Sequence, residues 1–166
     1  MKKIVIILLF VIFISILFLI KLKGGKKMVE ISEIKSFHFG YSVNMMMNGN
    51  VSYDVKLLDD KYIATIKPYM IDNDDALEIE LSDSQVETLR NILIDNKVNK
   101  WDGFDKADKN VLDGNSFSLF IHFVNKDSIS AKGYMKWPEN YGKVSGCFDE
   151  FFNEIYKTNR NDFVEE

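Results

Sequence analysis

Large apolar residues recur every second position along much of this chain, and that alternation sets out its strands. Phe37, Phe39, Tyr41 and Val43 alternate with His38, Gly40 and Ser42, the pattern of a half-buried strand. Asn48-Gly49 supplies the positive φ of a tight turn, after which Val51, Tyr53, Val55 and Leu57 share one face and Ser52, Asp54 and Lys56 the other. Asp59-Asp60 turns the chain into a strand over Tyr62–Lys67 that Pro68 ends, and Leu77–Leu81 alternates again. Ser82 and Gln85 form a capping-box signature, predicting a helix to about Asp95 with Val86, Leu89 and Leu93 inward. A polar stretch holding Trp101–Phe104 and Leu112–Gly114 follows. Phe117, Leu119, Ile121 and Phe123 then pair, across the turn Asn125–Asp127, with Ile129, Ala131 and Gly133. Beyond Pro138, the ladder Tyr141, Val144, Phe148, Phe151, Phe152 and Ile155 has helical spacing wide enough to cover a sheet. Short turns between strands mean antiparallel pairing. The expected fold of residues 33–158 is therefore α+β: an antiparallel sheet with two helices on one face, followed by a frayed polar tail over 159–166.

Residues 4–20 break the pattern. This run of 17 residues has one polar member, Ser15, and therefore no polar face on which it could lie in water. As a helix it spans about 26 Å, enough to cross a bilayer core. Residues 1–22 are expected to be a transmembrane anchor with basic flanks, inserted in the lipid bilayer through residues 4–20, and residues 23–32 a tether. A cleaved signal peptide is the rival, but its apolar region is shorter and ends in a small-x-small site. Here the run ends in Lys21-Leu-Lys-Gly-Gly-Lys-Lys27, and no cysteine follows to carry a lipid. Counting lysines places the carboxyl side in the cytoplasm, whereas a short charged N-terminus before an apolar run is how export signals begin. The expected location is the cell membrane, single-pass, with the domain outside and a cytoplasm-facing domain as the alternative.

Charge sharpens this division. The first 27 residues hold six lysines and no acid, so residues 28–166 hold 15 basic and 25 acidic groups, a surplus of ten negative charges. Arginine, the preferred bidentate ligand of phosphate, occurs only at Arg90 and Arg160. An acidic, arginine-poor domain repels nucleic acid, and that function class is set aside.

No residue pattern assigns a catalytic, cofactor or metal site. G-x-S-x-G, P-loop, H-E-x-x-H and dinucleotide glycine fingerprints are all missing. Cys147 lies between Val144 and Phe151 on the apolar stripe of the last helix and reads as a small buried hydrophobe. His38 and His122 stand on strands opposite the large residues, with no third ligand at metal spacing, and read as solvated or weakly hydrogen-bonded. The acidic clusters Asp72–Asp75 and Asp102–Asp113 fail the EF-hand pattern, because Leu112 and Asp113 occupy its fifth and sixth positions. Met45–Met47 cannot all face one ion, since neighbours on a strand point to opposite faces.

The segment Gly133-Tyr-Met-Lys-Trp-Pro-Glu-Asn-Tyr141, after Leu112-Asp-Gly114, resembles the C-terminal part of small uncharacterised membrane-anchored proteins of low-GC Gram-positive bacteria. Those chains end in LDG, a hairpin, G-Y-x-x-W-P-x-N-Y and a helix. The resemblance implies no activity. Trp137 and Tyr141 bracket Pro138 at the strand-to-helix joint, where they either plug the end of the core or form an exposed aromatic patch. Candidate partner contacts are Trp137, Tyr134, Tyr141, His38 and His122. The expected function is a membrane-tethered, non-enzymatic binding domain of a bacterial envelope, without cofactor, for a membrane-proximal basic protein or envelope component. The alternatives are a small envelope hydrolase built on an unidentified carboxylate pair, and a cytoplasm-facing regulator.

Overall fold

The computed structural model describes residues 28–42, 49–69 and 75–160. The apolar run 4–20, Met45–Met47 and Asp72–Asp74 lie outside the described residues. Among the described residues, no helix is long and apolar enough to cross a membrane.

Seven strands form one sheet: β1 (Ile34–Ser42), β2 (Asn50–Leu58), β3 (Lys61–Lys67), β4 (Leu77–Leu81), β5 (Phe104–Ala107), β6 (Ser116–Phe123) and β7 (Ser128–Tyr134), in the order β4-β3-β2-β1-β6-β7-β5. Helix α1 (Asp83–Asp95) follows β4, a 3-10 turn covers Val98–Trp101, and helix α2 (Tyr141–Asn159) follows β7. The α+β class and the strands read from alternation are present. Asp59 and Asp60 form the two-residue turn between Leu58 and Lys61, both with positive φ (48° and 65°). The capping box is complete: Ser82 Oγ accepts from the Gln85 N–H, and Gln85 Oε1 accepts from the Ser82 N–H at 2.8 Å.

The sheet is mixed, which corrects the all-antiparallel expectation. β5 lies parallel to β7, from Phe104 opposite Ala131 to Ala107 opposite Tyr134. Its four residues have no alternation to read, since only Phe104 is half-buried and the other three are exposed. Backbone pairing, with no help from a hydrophobic pattern, makes this strand.

Both helices contribute to one core cluster with the inner sheet face: Phe37, Phe39, Tyr53, Val55, Leu119 and Ile121 meet Leu89, Leu93, Phe148 and Phe152. Phe148 stands 5.2 Å from Phe37 and 4.9 Å from Phe39, and Phe152 stacks on Tyr53 at 4.5 Å. Cys147 is only half-buried, one position off that stripe, which corrects its reading as a core residue. The stretch expected to be tether also touches the domain. Val29 and Ile31 pack against the core, and Asn99 donates a hydrogen bond to the Val29 carbonyl at 3.0 Å.

Candidate binding cleft

The last residues of β1, the first of β6 and the start of α2 converge at one end of the sheet, where the aromatic joint sits. Its two rings divide the roles proposed for them. Tyr141 is half-buried, 4.8 Å from Phe117 and 5.9 Å from Trp101. Trp137 remains 38% exposed and stacks on Tyr141 at 4.6 Å. The plug is instead Trp101, fully inside, whose Nε1 donates to the Glu139 carbonyl at 3.0 Å and pins the link into α2. Tyr134 stands apart: its hydroxyl donates to the Leu112 carbonyl at 2.8 Å and holds the Leu112–Gly114 loop.

Beneath Trp137 lies a cleft of about 240 Å³ whose walls include Ser42, Ser116, Trp137, Tyr141 and Asp149. Helical geometry places the acid there, because Tyr141, Ser145 and Asp149 recur every four residues along one side of α2. Asp149 Oδ1 accepts from the Tyr53 hydroxyl at 2.8 Å and from the Tyr41 hydroxyl at 3.1 Å, and Oδ2 also accepts from Tyr41 at 3.1 Å. Burial raises the Asp149 pKa, and although the two tyrosine bonds pull it down, the net shift is upward. Burial, and next the neighbouring Asp149 charge, also push the Tyr41 and Tyr53 hydroxyls up, so both stay protonated donors. Across the cleft the Ser42 and Ser116 hydroxyls bond each other at 2.7 Å. The Tyr141 hydroxyl has no hydrogen-bond partner among the described residues, and burial followed by Tyr41 and Asp149 raises its pKa. The result is a half-buried carboxylate under a stacked aromatic rim.

Asp149, Tyr41 and Tyr53 were not among the site residues expected from sequence. Two signals mark them. Tyrosines at inward strand positions need a partner for their hydroxyls. An acid eight residues after Tyr141 shares its side of the helix.

His38 and His122 lie on the other face of the sheet, away from this cleft. His122 is exposed. His38 is firmly bonded, which corrects its solvated reading: Nδ1 lies 2.8 Å from Asp54 Oδ1 and Nε2 3.1 Å from Ser118 Oγ, while Ser52 Oγ donates to Asp54 Oδ2 at 2.6 Å. Gly40 makes room for the ring, since a Cβ there would stand 3.3 Å from His38 Nε2. The order Ser118, His38, Asp54 is that of a hydrolytic relay. β6 is paired with β1 and with β7 around Ser118, so the backbone N–H groups flanking Ser118 serve the ladder. The array braces three strands.

Burial disfavours the charge on Asp54, but the hydrogen bonds from His38 and Ser52 and the charges of His38 and Lys56 outweigh it and lower its pKa. A folded-state pKa below the unfolded value adds stability above the unfolded value, and that stability fades as pH falls through the folded one. Asp54→Asn is therefore expected to cost about 1 kcal/mol at neutral pH, the site being partly solvated. Urea denaturation across a pH series should show the difference between the two chains closing on acidification. A pH-independent difference would remove the carboxylate charge from the account.

In the second acidic cluster, Asp102 and Asp108 hold local structure. Asp102 Oδ1 accepts from the Ser130 N–H at 3.1 Å, and Asp108 pairs with Lys136 at 3.3 Å. Among the described residues no three His, Cys, Asp or Glu side chains gather as a metal site. No protein-family model matches the chain, and no curated protein matches it significantly.

Proposed function

We propose that this chain is a single-pass, membrane-tethered binding domain of a bacterial envelope, and that its cleft takes an alkylammonium group from a basic partner. The observation that carries this reading is the Trp137–Tyr141 stack, 4.6 Å between rings, above the Asp149 carboxylate. A desolvated carboxylate attracts a cation, and an aromatic face adds cation–π attraction to the same group. Lysine side chains and free amines fit this chemistry, and so does the acidic surplus of the domain. Among the described residues that line this cleft Asp149 is the single acid, so they supply no carboxylate pair for a hydrolase. β1 begins at Ile34 and ends at Ser42 beside the cleft, about 26 Å further along the strand. The cleft thus lies at the far end of β1 from the strand's first residue, which is compatible with a tether entering there.

Two measurements test the proposal. Fractionation and intact-mass analysis of the native protein should find it in membranes with residues 1–27 retained; a mature N-terminus near Lys26 would sink the tether. Calorimetric titration of the full chain in neutral detergent with a short lysine peptide should show binding that weakens as salt rises. Trp137→Ala and Asp149→Asn should each weaken it about tenfold or more. Binding that ignores both substitutions would reject the cleft. Asp149→Asn should not lower stability at neutral pH, because its raised pKa makes the ionised carboxylate a cost to the fold at pH values above the unfolded value.

A further inference from the structure

The opposite end of the sheet carries a second, chemically inverted site. At the start of β1 the register against β6 shifts between Ile34 and Ser36, which takes Lys35 out of the ladder, and pairing with β2 begins only at Ser36 opposite Lys56 while β2 runs on to Leu58. The gap is a notch of about 570 Å³. Its floor is apolar, with Leu57, Leu58 and Val124, of which Leu58 is 53% and Val124 47% exposed. Its rim is cationic. Lys35, Lys56 and Lys126 line it against one acid, Asp127, with His122 beside them. Lys126 is presented by the turn between β6 and β7, where its φ is 72°.

Elsewhere Lys61 pairs with Glu80, Lys132 with Asp105 and Lys136 with Asp108, while Lys97, Lys100, Lys106 and Lys143 make no ion pair among the described residues. None of the three rim lysines makes an ion pair among the described residues, although Lys56 also faces Asp54. Glu33, Asp59 and Asp60 stand near this end of the sheet without lining the notch. In a domain with ten surplus acids, three unneutralised lysines around exposed leucine and valine form a site for a ligand that is anionic and apolar at once.

We infer that this notch binds an anionic acyl lipid of the bilayer surface, its headgroup on Lys35, Lys56 and Lys126 and its first acyl carbons on Leu58 and Val124. Inorganic phosphate has no use for the apolar floor, and a neutral lipid has none for the lysines. Position supports the bilayer as source. Glu33 accepts from the Val124 N–H at 2.9 Å, so the chain enters β1 beside the notch. Residues 21–27, and then residues 28–33, which run past Ile94, Lys97 and Asn99 before entering β1, separate the apolar run from the notch. The inference rests on the tethered reading for access alone, and not on the cleft.

The test is lysine footprinting by acetylation and mass spectrometry, with the full chain in nanodiscs of phosphatidylcholine with or without phosphatidylglycerol. Phosphatidylglycerol should slow modification of Lys35, Lys56 and Lys126 about fivefold and leave Lys143, on α2, unchanged. Leu58→Asp, at a position 53% exposed, should abolish the protection with all three lysines in place, an unchanged urea midpoint confirming the fold. Equal rates in the two discs would overturn the proposal. So would protection that survives Leu58→Asp, or protection by inorganic phosphate equal to that by the lipid. Retention of the chain by the discs is scored separately: a chain not retained but still protected when mixed with them refutes the anchor and keeps the notch.

Discussion

Gly133→Ala is expected to destabilise the domain by about 3 kcal/mol or more, the upper range for overpacking. A Cβ at this position would stand 2.1 Å from the Lys136 carbonyl oxygen and 2.5 Å from Phe117 Cε1. The first is backbone and cannot rotate aside, so the Met135–Trp137 link must move. That link carries Trp137, whose ring lies 5.7 Å from Phe117, so the cleft should suffer with the fold. Thermal and urea denaturation would measure the loss. A midpoint within experimental error of the unsubstituted chain would show that the link shifts freely, and would weaken the claim that Trp137 is held in place.

Phe148→Ala should be as severe, about 3–5 kcal/mol, through lost burial and the cavity left behind. Phe148 is fully buried and is the point at which α2 presses on the middle of β1, between Phe37 and Phe39. Against a total stability of about 5–15 kcal/mol, such a loss leaves a marginal fold. Its neighbour Asp149 depends on the same seat for its place beside Tyr41 and Tyr53. Phe148→Leu keeps most of the volume and should recover much of the stability, which separates cavity formation from loss of ring contacts. A Phe148→Ala chain with an unchanged urea midpoint would mean that α2 is not anchored there.

Alternation made most of this fold legible. Phe37, Phe39, Val51, Tyr53, Val55, Leu119 and Ile121 all lie on the inner face, because a strand with one covered face must alternate. The Ser82–Gln85 box was equally readable, since its bonds are local. β5 was not, because its stability comes from pairing with β7, a partner more than twenty residues away. The candidate site was half legible. Trp137 and Tyr141 announce themselves as large rings beside Pro138, and they do meet. Their acid was hidden, because Asp149 gains its meaning from Tyr41 on β1 and Tyr53 on β2, which no local spacing connects. The partners of His38 were likewise not legible, because Asp54 and Ser118 lie on two other strands.

The two edges of the sheet bear on whether copies of this domain can zip together strand to strand. Proteins confined to a surface meet at high effective concentration, which favours strand-to-strand zippering between neighbours. β4, at one edge, is only five residues long and exposes Glu78 and Glu80, the latter paired with Lys61 on β3. β5, at the other, has four residues with Asp105 and Lys106 exposed, too short a template to extend. Both borders of the described sheet are short and charged, and so offer a poor template for strand-to-strand polymerisation.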